Sequence, residues 1–214
     1  MRFFTKTVGV ILIFFTGSAL AGDMPDKMVQ DAAKEIQDLL KQNHAAYSED
    51  HKKLYAMVHE KVLPYFDFGA MSKLVLATNW KAANESQRDR FTIAFRDLLV
   101  RTYATAFLKY TDDKIVFLPF HGKPGDKKVT VDAEIRPASG GPAIPMSYRF
   151  YFNKQGQWKV YDVSIDGVSL VINYRSVYAE KIQKEGLDAL IASIEKEDPN
   201  GELPSSKAAA ANKS

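Results

Sequence analysis

Cysteine is absent from the 214 residues of this chain. Disulfides, thiol nucleophiles and sulfur-ligated metal sites are therefore excluded. An excess of one charge is also lacking, because 29 Lys and Arg stand against 26 Asp and Glu, a formal net charge of +3. A chain so nearly balanced does not have the charge pattern of a nucleic-acid-binding protein. Its stability must come from an ordinary hydrophobic core, which a domain of this length can supply.

Long hydrophobic runs are scarce, and the clearest one lies at the N-terminus. Arg2 and Lys6 precede an apolar run at 8–15, and Ala19-Leu20-Ala21 has the small-x-small pattern of a cleavage site. This is the pattern of a secretory signal peptide, and the run is too short to span a bilayer. We expect cleavage after Ala21, which leaves a charge of 3 − 2 = +1. We also expect a periplasmic location and, without cysteine, no lipoprotein anchor.

One tripeptide resembles a catalytic motif but lacks its context. Asp67-Phe68-Gly69 matches the metal-binding triplet of protein kinases, yet the chain has no GxGxxG loop and no His-Arg-Asp before it. Asp is a good helix N-cap, and apolar residues follow the triplet at helical spacing. The sequence therefore predicts that Asp67 caps a helix.

Other catalytic and metal-binding patterns are missing as well. The four histidines have no ligand spacing such as HExxH, and no GxSxG elbow surrounds the candidate serines. Asp162 and Asp166 are interpreted as strand-end or turn carboxylates. The histidines and serines without a motif are His44, His51, His59, His121, Ser164, Ser169 and Ser176.

Hydrophobic periodicity divides the chain into a helical half and a strand-rich part. Apolar residues at steps of three and four predict helices over 25–42, 49–63, 67–76 and 85–110, with a loop at 77–84. Alternation then predicts strands over 114–120, 127–137, 143–152 and 157–166, and a parity change at Val160 and Tyr161 predicts a bulge. Helix returns after 166, with a break at Gly186.

Helices first, then an antiparallel meander, then helix again is the order of an α+β fold with helices on one face of a curved sheet. We expect a signal peptide at 1–21, a single domain at 22–198 and a disordered tail at 199–214. The aromatic and methionine side chains of both layers fill either a packed core or a cavity, and alternation does not distinguish these.

Two blocks of sequence, 67–110 and 158–191, resemble the MlaC family of periplasmic phospholipid carriers, also known as toluene-tolerance proteins. The resemblance covers about residues 25–195, with one departure at Ala77, where a glycine is expected. It implies an NTF2-like α+β fold with a deep apolar pocket and no catalysis, cofactor or metal. It also implies a monomeric shuttle that maintains outer-membrane lipid asymmetry. The implied partners are an outer-membrane lipoprotein–porin complex and an inner-membrane ABC transporter with an MCE-domain subunit.

Face assignment together with this resemblance gives a candidate lipid-binding set. We expect the lining to come from Met71, Leu74, Leu99, Tyr103, Phe107, Val131, Ile135, Ile144, Met146, Tyr148, Phe150, Val163, Ile165, Leu170, Val171 and Tyr174. Arg175 and Lys159 are candidates for a phosphate contact at the rim.

Two other classes of function stay open at this point. The same scaffold hosts isomerases and dehydratases with a pocket acid, for which Asp162 with Tyr148 or Tyr103 would be the pair. A protein–protein adaptor with a fully packed core is the other alternative.

Overall fold

Helices come first along the chain, a meander of strands follows, and two helices end the part described by the computed structural model, residues 24–196. The helices are α1 (Pro25–Gln42), α2 (His44–Glu49), α3 (His51–Lys61), a 3-10 helix (Leu63–Tyr65), α4 (Phe68–Leu76), α5 (Thr78–Ala82), α6 (Glu85–Lys109), α7 (Leu170–Glu185) and α8 (Leu187–Lys196). The strands are β1 (Lys114–Phe117), β2 (Lys128–Arg136), β3 (Ile144–Phe152), β4 (Trp158–Ile165) and β5 (Val168–Ser169). The α+β expectation is confirmed. The predicted signal peptide and tail lie outside the described residues.

Side-chain caps begin the helices that border the sheet. The Ala70 N–H donates to Asp67 Oδ1 at 2.8 Å, so the kinase-like triplet is a helix start, as predicted. At the start of α6, Asn84 and Gln87 form a reciprocal capping box. The Ile172 N–H donates to Ser169 Oγ at 3.1 Å at the start of α7. Each helix therefore begins at a residue that the sequence specifies locally.

Several predicted boundaries are wrong, each for a local reason. The single helix expected over 49–63 is instead α3 with a 3-10 turn, because Asp50 is extended and caps α3 through the Lys52 N–H. The expected loop at 77–84 contains α5. Strand β1 ends at Phe117 rather than at 120, since Pro119 has no N–H to continue the ladder. The two-residue strand β5 lies outside every predicted strand.

The sheet is an antiparallel meander in the order β1-β2-β3-β4-β5. The predicted bulge is confirmed: Arg149 pairs with Asp162 and Phe150 with Val160, so Tyr161 has no partner in the β3–β4 ladder. Two segments cover the outer edge of β4. Strand β5 pairs with its end, and Phe66 forms a parallel bridge to Val160.

The apolar interior is divided into three clusters. The helical cluster joins α4, α6, α7 and α8 around Phe91 and Phe95. The α1–α3 cluster surrounds Leu54 and packs on one side of α6. The sheet cluster contains Val131, Phe150, Trp158, Val160 and Val163. Half-buried side chains pack around all three, and Phe66 packs against both the helical and the sheet clusters.

Ala77 adopts a backbone conformation that favours glycine, with φ 48° and ψ −114°. A residue other than glycine in this conformation destabilises the folded state by on the order of 1–3 kcal/mol. Glycine relieves this strain, but it loses more conformational entropy on folding, which offsets part of the gain. We therefore expect Ala77→Gly to raise the free energy of unfolding by about 1 kcal/mol in urea titrations. Ala56→Gly is the control, because Ala56 is exposed within helix α3. It should lower the free energy of unfolding by about 1 kcal/mol. An equal loss in both variants would contradict the strain at Ala77.

Candidate functional site

The inner face of the sheet carries the predicted apolar side chains in cross-strand rows. Val131, Tyr148 and Val163 form one row. Ala133, Met146 and Ile165 form the next, and Ile135 pairs with Ile144 beyond it. Because side chains alternate between the two faces of a strand, all eight sheet residues of the predicted set share this face: Val131, Ile135, Ile144, Met146, Tyr148, Phe150, Val163 and Ile165.

Burial changes along this face from one end of the sheet to the other. Phe150 is 0% and Val160 2% exposed at one end. Tyr148, Met146 and Ile144 follow along the same strand, and all three are only half-buried. Along β3, the inner face is therefore covered at Phe150 and partly open from Tyr148 to Ile144, although the neighbouring Val131, Ala133 and Val163 are buried.

Tyr148 is accessible although it lies deep in the molecule. It is flanked across the sheet by Val131 and Val163, which are 1% and 6% exposed. Burial raises the pKa of Tyr148 to about 12. Tyr148 therefore lies on the inner face of the sheet and is not fully covered by its neighbours.

The helices pack unevenly on the sheet. Helix α6 packs against α2, α3, α4 and α8, while the main packing of helices on the sheet is made by α4 and α7 on β4. Of the helices, α4 and α7 thus make the closest backbone approach to the sheet. Met28 and Val29 of α1 pack against the sheet cluster.

The helical members of the predicted set lie in two environments. Met71, Leu99, Val171 and Tyr174 are buried in the helical cluster and offer no free surface in this conformation. The half-buried members are Leu74 and Tyr103 beside that cluster, Phe107 beside the α1–α3 cluster and Leu170 beside the sheet cluster. The predicted helical residues therefore divide into a buried group and a half-buried group.

Tyr103 and Tyr174 connect α6 and α7. Burial raises the pKa of Tyr103, and a hydrogen bond with Tyr174 partly offsets that rise. Tyr174 also packs edge-on against Phe95, with ring centroids 5.1 Å apart. The hydroxyl pair is the main polar feature on the helical side of an otherwise apolar region.

Both candidate rim cations donate to backbone carbonyl groups. Arg175 Nε lies 2.7 Å from Leu74 O, at the end of α4. Lys159 Nζ lies 2.6 Å from Pro64 O. These contacts tie α7 and β4 to neighbouring segments, so a phosphate would have to compete with them.

Asp162 has a structural role that sequence reasoning missed. It lies within β4 and not at a strand end or turn, so that interpretation is wrong for Asp162; Asp166, just after β4, fits it. The buried carboxylate accepts from Ser169 Oγ at 2.7 Å and from the Val171 N–H at 3.1 Å. Arg149 Nη1 lies 3.3 Å away. The carboxylate thereby holds the start of α7 against the sheet.

This placement also separates Asp162 from Tyr148, one of the two tyrosines considered as its partner in an enzyme. Asp162 pairs with Arg149, whereas Tyr148 pairs with Val163, so Asp162 and Tyr148 lie on opposite faces of the sheet. Within residues 24–196, no three His, Asp or Glu side chains are grouped to hold a metal ion. In the same part of the chain, no helix is long and apolar enough to cross a membrane.

A surface groove of about 630 Å³ lies between the α2–α3 region and α6, away from the predicted lining. Tyr55, His59, Arg96 and Arg101 border it together with acidic residues. Its mixed charge does not suit hydrocarbon, so we do not assign it to the site.

Sequence reasoning missed several aromatic residues that pack against the sheet cluster. Phe66 packs against both the helical and the sheet clusters, and Phe117 and Phe120 pack against the sheet cluster. For Phe117 a signal was present, since it lies in the predicted strand 114–120. Phe66 lies in a non-periodic segment, where no pattern indicates which way a side chain points.

Comparison with known proteins gives a consistent result. The family model described as "MlaC protein" matches residues 30–196. The "Intermembrane phospholipid transport system binding protein MlaC" of Haemophilus influenzae is 27% identical over 197 residues, covering 91% of this chain and 92% of the relative. The "Toluene tolerance protein ttg2D" of Pseudomonas putida is 27% identical over 180 residues, covering 84% of this chain and 82% of the relative.

A solved structure shares the fold. The phospholipid-binding protein of Ralstonia solanacearum, determined in complex with a phospholipid, superposes with a TM-score of 0.73 at 25% identity. The match covers 80% of this chain and 94% of that one.

Proposed function

The chain belongs to the MlaC family, and we propose that it is a periplasmic phospholipid carrier which shelters acyl chains between α6 and the inner face of the sheet. The observation that carries this proposal is the row of half-buried apolar side chains on the inner face of β3, namely Tyr148, Met146 and Ile144. The role is binding and transport without catalysis. Phospholipid is the cargo and not a cofactor.

The energetics of hydrocarbon in water explain why such a space is needed. Each methylene removed from water is worth about 0.8 kcal/mol, so about 30 methylenes of a diacyl lipid cost on the order of 20–25 kcal/mol when stranded in water. A cavity that shelters the chains almost as well as a bilayer makes transfer nearly isoenergetic. Small differences between donor and acceptor can then set the direction.

The proposed cellular role follows from the family. We propose that the carrier moves phospholipid between the outer and inner membranes and so maintains outer-membrane lipid asymmetry. Its proposed partners are an outer-membrane lipoprotein–porin complex and an inner-membrane ABC transporter with an MCE-domain subunit. The predicted signal peptide supports this location, and we propose that the carrier acts as a monomer.

Denaturing mass spectrometry of freshly purified protein tests the proposal. A carrier is expected to release diacyl phospholipid in an amount comparable to the protein. An adaptor with a filled core would release nothing, and a pocket-acid enzyme would release a small molecule or nothing. Either of these results would overturn the proposal.

A further inference from the structure

Positive charge is concentrated at the end of the sheet beyond Phe150. Two segments meet there, 121–128 leading into β2 and 152–159 joining β3 to β4, because the Phe152 N–H donates to Lys127 O at 2.9 Å. Together they contain five lysines and one acidic residue, Asp126, a net charge of 5 − 1 = +4. The whole chain carries only +3. We call this surface the basic end, and its lysines are Lys123, Lys127, Lys128, Lys154 and Lys159.

These positive charges are not neutralised within the chain. Among the ion pairs of residues 24–196, none includes a lysine of the basic end. Four of the five lysines are exposed, and the fifth, Lys159, donates to the Pro64 carbonyl at 2.6 Å and not to a carboxylate. The Asp126 carboxylate is engaged within its own loop, since it accepts from the Lys123 N–H at 2.8 Å. The exposed ammonium groups therefore remain available to a partner.

Local hydrogen bonds hold both segments in place. Asn153 Oδ1 accepts from the Gln155 and Gln157 N–H groups at 3.0 and 2.8 Å, which closes the turn between β3 and β4. In the other segment, the Asp126 N–H donates to Lys123 O at 3.1 Å. A surface that is already ordered loses less conformational entropy when a partner binds.

Aromatic rings support two of the lysine side chains. Lys127 Nζ lies 4.9 Å from the centroid of the Phe152 ring, and Lys128 Nζ lies 5.7 Å from that of the Tyr161 ring. Cation–π contacts of this kind attract the ammonium group without removing its charge. The two lysines are thus positioned and still charged.

Lys128 and Lys159 belong to one cross-strand row on the outer face of the sheet. Lys128 pairs with Tyr151, and Tyr151 pairs with Lys159. The Tyr151 hydroxyl donates to Asp67 Oδ2, while Asp67 Oδ1 accepts from the Ala70 N–H. The Asp67 carboxylate is therefore engaged by neutral donors, and it forms no ion pair with either lysine.

The composition of the basic end favours an acidic protein over a membrane as the occupant. Helices that bind at a membrane interface present exposed aromatic or aliphatic side chains beside their cations. None of the exposed large hydrophobic residues between 24 and 196 lies in segments 121–128 or 152–159. Complementary charge between lysines and Asp or Glu side chains needs no such insertion, and it increases the rate of association.

We propose that the basic end is a docking surface for a partner protein with an acidic surface. It lies beyond Phe150, whereas the half-buried Tyr148, Met146 and Ile144 follow in the opposite direction along β3. A partner can therefore bind the basic end without covering that row. The inference concerns partner binding alone and does not depend on phospholipid binding, so either can fail without the other.

The test measures binding of a dye-labelled peptide of alternating Glu and Asp residues by fluorescence anisotropy. The unchanged protein should bind the peptide in about 0.1 M sodium chloride and release it in about 1 M, because the Debye length shortens from about 10 Å to about 3 Å. Combining Lys127→Glu, Lys128→Glu and Lys154→Glu should weaken binding by about tenfold or more, since three attractive contacts become repulsive.

The matched control combines Lys41→Glu, Lys53→Glu and Lys109→Glu. These lysines are exposed on α1, α3 and α6, and the net charge changes by the same amount. Because distant charges are screened, this variant should weaken binding by less than about twofold. Circular dichroism verifies the fold of both variants. Replacing the three basic-end lysines with glutamine keeps the test decisive if the glutamate variant does not fold.

Each remaining outcome contradicts the docking assignment. If the unchanged protein does not bind the peptide, or if both triple variants lose equal affinity, the basic end is not a docking surface. Sedimentation with phosphatidylglycerol vesicles is measured in parallel, and vesicle binding as strong as peptide binding would replace the protein partner with a membrane. Phospholipid that co-purifies should be the same in all variants. Its loss from the basic-end variant alone would place these lysines at the lipid site instead.

Discussion

Replacing Met146 with glutamate is expected to reduce the phospholipid that co-purifies with the protein by more than about tenfold. Met146 is half-buried on the inner face, between Ala133 and Ile165, and its sulfur lies 4.0 Å from the Tyr148 hydroxyl. An unpaired carboxylate in contact with hydrocarbon costs several kcal/mol, and each 1.4 kcal/mol is a factor of ten in affinity. Without lipid, water entering from the open end can solvate the carboxylate, so the fold should persist.

Thr130→Glu provides the matched control for this prediction. Thr130 is exposed on β2 and pairs with Arg149 on the outer face of the sheet. The same carboxylate there should leave bound lipid unchanged. Lipid is quantified per mole of protein by mass spectrometry, and circular dichroism verifies the fold. Lipid retained by the Met146 variant would show that the inner face is not the binding surface.

Asp162→Ala is expected to lower the free energy of unfolding by about 3 kcal/mol. The change leaves the Ser169 hydroxyl and the Val171 N–H without their buried acceptor, and each unsatisfied group costs about 1–3 kcal/mol. The Arg149 side chain is 44% exposed, so water can replace its contact with Asp162. The loss of this contact therefore adds little to the destabilisation. The loss is a large fraction of the typical total of about 5–15 kcal/mol.

Urea unfolding of two further variants controls this prediction. Asp162→Asn keeps one acceptor oxygen, so its free energy of unfolding should fall less than that of the alanine variant. Asp112 is exposed, and its replacement by alanine should change stability by less than about 0.5 kcal/mol. If Asp162→Ala unfolds at the same urea concentration as Asp112→Ala, the carboxylate does not hold α7 to the sheet.

Sheet residues could be assigned to faces from the sequence because the period of a strand is two. Val131, Met146 and Phe150 share the inner face as predicted, and the parity change at Val160 and Tyr161 marks the observed bulge. The ends of α1 were likewise predictable, since an amphipathic stripe begins at Pro25 and stops at Gln42. Most of the helices and strands could therefore be predicted from local periodicity.

What the sequence did not predict depends on contacts between distant segments. Asp162 is buried only because Ser169 and Val171 fold back on it, and a single strand pattern does not contain that turn. The division of the lining set into buried and half-buried members depends on how the three clusters pack together. Phe150 and Tyr148 therefore look equivalent in the sequence, although Phe150 is buried and Tyr148 half-buried.

The two borders of the sheet are unequally protected against pairing with another molecule. On the β4 side, Phe66 and β5 already occupy the edge. On the other side, β1 is four residues long, begins with Lys114 and is followed by Pro119. A short, charged edge that ends near proline is a poor template for intermolecular strand addition. Molecules of this kind should tolerate high protein concentration without polymerising through their sheets.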